Sequence, residues 1–470
     1  MSDMQRSETV LIRNTRIVDG LSSYPEHADV LIHDGTIVLI DGSIPLRDYR
    51  IIDAQGGYLL PGIIDVASPV VQFDPALTID TQASFASMGV TTLIAGSYGF
   101  SPFPYHHEMI SDFSSVVATP ANYNWRTHQQ WSQQLQTIGA LINISSCVGV
   151  RNSSLFASQS VDTRGAIAVS ASLDSVRGLS SVVSLAGEHA KPFVCALSPL
   201  CDDVSGRRLV SELSKFVSRG IVPSCVLIHA RQEWFHNHPY SGIYPVFTPE
   251  NTRFITVADF VPQWLRVLLA SSGGAEALRD PWNQTRIKKN FPVFDGRFWT
   301  VADAAGRPFW TGLTIRELAA RLDSPSDSDA LLHLIVATSA RAMISAVETT
   351  PFRFSDTDSQ QYIVSLASVS RGMPYSFLSN PFSLYSARQT LSRILAGAST
   401  SYRNRIVRAF SSDCARIFGI AGRGVIAPGY RADLQLCDSN FVPVSTFVNG
   451  VAVSGSYRDA STRPGAIIVS

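Results

Sequence analysis

Between about residues 61 and 420 the sequence alternates short apolar runs with longer amphipathic stretches, and this alternation constrains the fold more than any other feature. Candidate strands are GIIDV, VTTLIAG, LINISSCV, PFVCALS, CVLIHA, RFITVADF and YIVSLASV. Candidate helices include RTHQQWSQQLQTIG, GRRLVSELSKFVSRG, LTIRELAARL and SARQTLSRILAGA. Strands separated by helices cannot pair as hairpins, so they read as parallel βα units, and about this number of units predicts an α/β fold of the (β/α)8 TIM-like barrel type. The Trp-, Phe-, Asn- and Gly-rich stretch of about 280–312 breaks the alternation and reads as an insertion or lid within the barrel span.

The two ends of the chain behave differently. Residues 9 to 55 carry TVLIRNTRIVDG, ADVLIHDGTIVLID and YRIIDAQGG, with Asp19-Gly20 and Asp34-Gly35 as hairpin turn signals. The other end has RADLQLCD, then VSTFVNGVAVSG with the Asn449-Gly450 turn, then PGAIIVS. A small antiparallel sheet cannot bury both of its faces alone, which predicts one β-sandwich domain assembled from residues 1–60 and 421–470 around a barrel of residues 61–420.

Bulk properties exclude several classes. With 38 Lys+Arg against 38 Asp+Glu there is no charge excess to attract nucleic acid or an anionic membrane. The six cysteines are scattered without CxxC pairs and read as buried reduced thiols. The N-terminus MSDMQRSETVLI has neither an apolar signal core nor a basic presequence, and no apolar run is long enough to span a bilayer, so a cytoplasmic location is expected.

Six segments in order resemble the amidohydrolase superfamily, and within it the N-acyl-D-amino-acid deacylases (D-aminoacylases). SFASMGVTTLIAGSYGFSP is similar to the family's "GVTT…GNCGF…P" block, IHARQE to its His-x-Arg-x-Glu strand end, and GLTIRELA to a family helix. SRGMP with NPFSLYSARQTLSRIL resembles "SDGxP…HPRxxGTFxRvL", ARIFGIAGRGVIAPGYRADLQLCD resembles "AxxxGLxxRGxixPGxxADlvvfD", and RPGAIIVS resembles the family's ending. The resemblance implies the same barrel and composite sandwich. It also implies hydrolysis of a C–N bond by a zinc-activated water, with ligands at the C-terminal ends of barrel strands.

The positions that would carry this chemistry depart from the family. The stretch YLLPGIIDVASP has the outline of an Asp-x-His-x-His opening, but Ala67 and Pro69 stand where the two histidines would be. Tyr98 takes the place of the ligating cysteine, and a phenol with a pKa near 10 is a poor substitute. A second isolated histidine would fall at Val257 or Ala258. Arg371 replaces the aspartate general base; an Arg about 4 Å from a Zn2+ would cost roughly 8 kcal/mol at an effective dielectric near 20. Asn380 and Phe382 replace the His and Arg of the substrate clamp.

What survives is Asp65, His229, Arg231 and Glu233, read as the lining of a vestigial pocket. His229 with His236 and His238 in HARQEWFHNH has the residue types of a metal site, but its spacing matches no zinc pattern. Lys191, Lys215, Lys288 and Lys289 are the four lysines, and none sits at a convincing strand end for a carbamylated bridge.

Two readings follow. The first is a pseudoenzyme, with no cofactor expected, kept for a binding, regulatory or structural role with a protein partner or as an assembly subunit. The alternative is an active amidohydrolase, acting on an amide, N-acyl amino acid or cyclic amide, with a reduced or altered metal site and with zinc as its cofactor. A dihydroorotase-like branch would have the same barrel and would also miss its His-x-His and lysine. No feature of the sequence indicates the oligomeric state.

Overall fold

The structure is a computed structural model that describes residues 9–21, 27–67, 79–97, 99, 101, 103, 125–150, 163–173, 176, 178–197, 201, 203–235, 239–249, 252–269, 273–291, 294–347, 360–366, 384–453 and 463–469. Its strands are β1 (Thr9–Ile17), β2 (His27–His33), β3 (Thr36–Asp41), β4 (Arg50–Asp53), β5 (Tyr58–Pro61), β6 (Ile63–Asp65), β7 (Val90–Ala95), β8 (Asn143–Gly149), β9 (Ala168–Leu173), β10 (Phe193–Leu197), β11 (Cys225–Ile228), β12 (Ile243–Phe247), β13 (Thr252–Thr256), β14 (Trp299–Asp303), β15 (Met343–Val347), β16 (Ile363–Val364), β17 (Leu434–Cys437), β18 (Pro443–Val448) and β19 (Val451–Ala452).

One sheet joins the two chain ends in the order β19-β18-β17-β5-β1-β2-β3, with β4 pairing beside β5 along β1. The ends meet where β17 runs antiparallel to β5, Leu434 opposite Pro61. Its hairpins turn where the sequence places Asp34-Gly35 and Asn449-Gly450. Both residues of each pair have positive φ, 48° and 72°, and 48° and 81°, as a two-residue primed turn requires. The two turns also touch: a Cβ on Gly450 would lie 2.6 Å from Gly35 Cα.

The barrel strands are parallel in the order β16-β12-β11-β10-β9-β8-β7-β6. Two of them lie outside the candidate strands read from sequence. AVSASL, whose apolar residues are interrupted by two serines, forms β9, and IYPVF forms β12 despite Pro245, which argues against a central strand. Pro245 lies opposite Leu227 of β11, while the register with β16 begins one residue later at Val246 opposite Ile363. Conversely, the strand in RFITVADF is β13, which pairs antiparallel with β15 in a three-stranded sheet, β13-β15-β14, apart from the barrel sheet. That sheet and its helices enclose a core of their own, including Phe260, Leu265, Ile287, Val301, Leu318, Leu334 and Ile344, and the 280–312 stretch lies among these elements.

No backbone ladder joins β16 to β6 among the described residues. Side chains close this seam: Ser365, just past β16, donates its hydroxyl to Asp65 at the end of β6 and accepts the Ala67 N–H at 3.1 Å. Inside the barrel Ile64, Val66, Ile94, Cys147, Val194, Ala196, Val226, Ile228, Val246 and Ile363 pack together. All six cysteines are buried, and no helix among the described residues is long and apolar enough to cross a membrane.

The N-terminal end of the barrel is tied to the terminal sheet by a buried polar network. Asp433 pairs with Arg423, with side chains 3% and 10% exposed, and accepts from Asn143 Nδ2 at 2.9 Å and from the Asn449 N–H at 2.7 Å. Arg423 and Asp433 are the first and last letters of the RG-x-I-x-PG-x-x-AD block. The tail completes the closure, with Ile468 N–H donating to Ile144 O and Ser145 Oγ to Ile468 O, both at the start of β8.

Replacing Asp433 with Ala leaves a buried guanidinium, an amide and a backbone N–H without their shared acceptor, and denaturant unfolding should show a loss of about 3–5 kcal/mol. Ser365→Ala removes the seam donor and should lower stability by about 1–3 kcal/mol in the same measurement. An unchanged midpoint for either variant contradicts the role assigned to that residue.

Candidate functional site at the barrel mouth

The C-terminal ends of parallel barrel strands converge on one face, so side chains there share a mouth. Asp65 and Ala67 are both fully buried at the end of β6. Ala67 has no side-chain donor, and its amide is directed to Ser365 Oγ and, at 3.4 Å, to Asp65 Oδ1. Among the described residues at this end of the first strand, Ala67 offers no zinc ligand. Among the described residues no group of three or more His, Cys, Asp or Glu side chains is placed to hold a metal.

Beyond β7, Ser97 is buried and donates to Val66 O, and Cys147 of β8 is fully buried. Burial pushes the Cys147 thiol up to about 12, only partly offset by Ser97, so it is protonated at neutral pH and unsuited to be a nucleophile. Gly99 of the GSYGF motif is held against β9: its N–H donates to Ser170 Oγ at 3.2 Å, and a Cβ there (φ 85°) would meet Ser172 N at 2.9 Å. The glycine of that motif is therefore required by close backbone approach.

His229 follows β11 directly and has φ 63°, the left-handed region that a non-glycine residue seldom occupies. Arg231 and Glu233 are exposed. Arg231 is drawn to Asp203, Nη1 to Oδ1 3.1 Å, and the Glu233 carbonyl accepts from Arg207 Nη1 at 3.4 Å. Of the sequence-predicted residues, the structure thus places Asp65, Ala67 and His229 at barrel strand ends, with Arg231 and Glu233 on the segment that leaves β11.

Pro69, Tyr98, His236, His238, Arg371, Asn380 and Phe382 lie outside the described residues. Val257 is fully buried in the core of the three-stranded-sheet unit, in a short 3-10 turn after β13, with Ala258 beside it. None of the four lysines stands at a C-terminal strand end. Lys191 precedes β10 at its N-terminal side, where burial lowers its pKa; Lys215 pairs with Glu212 and Lys288 with Asp329, while Lys289 closes the helix Pro281–Lys289.

Sequence reasoning missed Ser97, Ser365, Asp203 and Trp234. Serine is too common here to stand out, and each of these residues gains its meaning from a partner on another element. The Ser365–Asp65 contact spans 300 residues of chain.

No protein-family model matches the chain. A dihydroorotase from Caldanaerobacter subterraneus subsp. tengcongensis is 34% identical over 111 residues, 23% of this chain and 25% of that protein. An N-acyl-D-aspartate deacylase from Alcaligenes xylosoxydans xylosoxydans is 25% identical over 149 residues, 32% of this chain and 30% of that protein. The matched regions thus span about a quarter to a third of these relatives. Among solved structures, N-acyl-D-glutamate deacylase from Bordetella bronchiseptica, complexed with zinc and a phosphonate inhibitor, superposes with a TM-score of 0.70 at 17% identity, over 99% of this chain and 100% of that one. A D-aminoacylase, described as defining a novel subset of amidohydrolases, gives 0.66 at 18% identity over 98% and 99%. The chain therefore has the amidohydrolase fold, a parallel barrel joined to a sheet built from both termini, in the arrangement of the N-acyl-D-amino-acid deacylases.

Proposed function

We propose that the protein hydrolyses a C–N bond, in an amide, an N-acyl amino acid or a cyclic amide, at the mouth of its barrel. The full-length correspondence of fold with the deacylases supports this reading, as does the segmental sequence similarity to a dihydroorotase and an N-acyl-D-aspartate deacylase. The observation that carries it is His229, held at a barrel strand end on a left-handed backbone. Ten other described non-glycine residues share a positive φ, so what singles His229 out is an imidazole that directly follows a barrel strand. An imidazole titrates near neutrality, so it is suited to take a proton from an attacking water and return it to the departing nitrogen.

The zinc that the fold family implies has no ligand at Ala67, so no proton-transfer step here is routed through a metal. The chemistry assigned to this chain is limited to its own residues. His229 moves the proton, and the Asp65–Ser365 pair holds the first and last strand ends of the barrel together.

A second reading is a barrel that binds such ligands, or a protein partner, without hydrolysis. The specific observation in its favour is Ala67: it stands where the resembling family has a ligand, and here it is fully buried, with its amide used in the seam.

The two readings separate experimentally. Protein expressed with zinc in the medium is analysed for metal per chain and assayed against N-acyl-D- and N-acyl-L-amino acids, hydantoins and dihydroorotate. Hydrolysis of one class supports the first reading, and inertness across the panel with a ligand-induced rise in melting temperature supports the second. In an active protein, His229→Ala should lower kcat/KM by about 10²- to 10⁴-fold while leaving the melting temperature unchanged. Full activity in that variant removes His229 from the mechanism.

A further inference from the structure

We propose that Asp203 is the positioning residue of the mouth, fixing His229 by clamping the segment that follows it. The proposal rests on the reading of His229 as the acid–base group. Asp203 opens the helix Asp203–Ser218 and lies across from the exit of β11. Its Oδ1 accepts from Trp234 Nε1 at 2.7 Å and from Arg231 Nη1 at 3.1 Å, and its Oδ2 lies 3.6 Å from Arg207 Nε.

Arg207 is on the same helix and donates back to the carbonyl of Glu233. Gly206 leaves room for the indole of Trp234, because any Cβ there would run into the six-membered part of the ring. Trp234 is 6% exposed and packs with Cys201, Leu209 and Phe235 in one apolar cluster. The backbone is fixed as well: Trp234 N–H donates to Arg231 O at 3.2 Å and Phe235 N–H to Gln232 O at 3.0 Å.

The consequence falls on His229. Only Ala230 separates it from Arg231, the first clamped residue, while Ile228 behind it is fixed in the barrel by its register with Ala196. A residue held between two fixed points has little freedom to leave the left-handed region that its side chain disfavours. One carboxylate therefore satisfies an indole and two guanidiniums and determines the path of the chain through His229. The Trp234 hydrogen bond, opposed in part by desolvation and assisted by Arg231 and Arg207, lowers the Asp203 pKa, so the clamp is ionised at neutral pH.

The test needs no substrate. In protein labelled on histidine and tryptophan, the His229 imidazole signals are assigned by their loss in His229→Ala, and the Trp234 indole N–H is followed by hydrogen exchange. Asp203→Ala should remove the protection of the indole N–H and shift the His229 imidazole signals. Asp203→Asn keeps an oxygen acceptor for the indole and should hold both near their wild-type positions. If Asp203→Ala does not fold, Trp234→Phe, which deletes only the indole donor, should shift the His229 signals in its place.

Loss of indole protection with the His229 signals unmoved overturns the proposal, as does an Asp203→Asn protein that behaves like Asp203→Ala. These outcomes are independent of the functional reading, which fails instead if His229→Ala retains activity.

Discussion

The buried pair of Arg423 and Asp433 is the contact on which the rest of the molecule depends. It lies where three parts of the chain meet: the start of barrel strand β8 through Asn143, the last hairpin through Asn449, and the tail through Pro464 and Ala466. Two charges withdrawn from water are tolerated only when their remaining hydrogen-bonding capacity is met, and here Asn143 and Asn449 meet it for the carboxylate. The outcome is a barrel capped at the N-terminal ends of its strands by a sheet made from both chain termini. The residues that follow the strands converge at the opposite end. The most recognisable block of the sequence is thus explained by assembly of the fold and not by catalysis.

The mouth inherits its geometry from strand register. Because β6 to β12 and β16 are parallel and paired in order, the residue that follows each strand is delivered to the same face. Between β16 and β6, where no ladder is present among the described residues, the Ser365 hydroxyl and the Asp65 carboxylate supply a contact. The polar groups thus assembled are mostly hydroxyls and backbone amides, together with a protonated thiol. Among the described residues His229 is the one imidazole that directly follows a barrel strand, and its backbone is held in a conformation that the flanking structure must enforce.

Much of the fold was legible in the sequence because its signals are local. The Asp34-Gly35 and Asn449-Gly450 turns declare their hairpins through residues that tolerate positive φ. The alternation of apolar strands and amphipathic helices declared the barrel. The strands that escaped did so for physical reasons: β9 interrupts its apolar residues with Ser170, which the fold buries, and Ser172, which it half-buries, and β12 contains Pro245, which lies opposite Leu227 of β11. RFITVADF has a convincing strand pattern, but pattern does not distinguish a barrel strand from one in the inserted three-stranded sheet. At the site, the replacement at Ala67 could be read directly. Ser365 and Asp203 could not, since each acts through partners distant in sequence and polar residues alone carry no periodicity.

The most direct measurement of the central claim, that the barrel mouth at His229 receives an amide-type ligand, is a crystal structure of the protein with a phosphonate analogue of an N-acyl amino acid. The account predicts that the phosphonate oxygens, standing in for the tetrahedral centre of amide hydrolysis, lie within hydrogen-bonding distance of the His229 imidazole, with the Asp203–Trp234 hydrogen bond intact. A fully ordered mouth without ligand at saturating concentration, or the analogue bound elsewhere on the molecule, would contradict it.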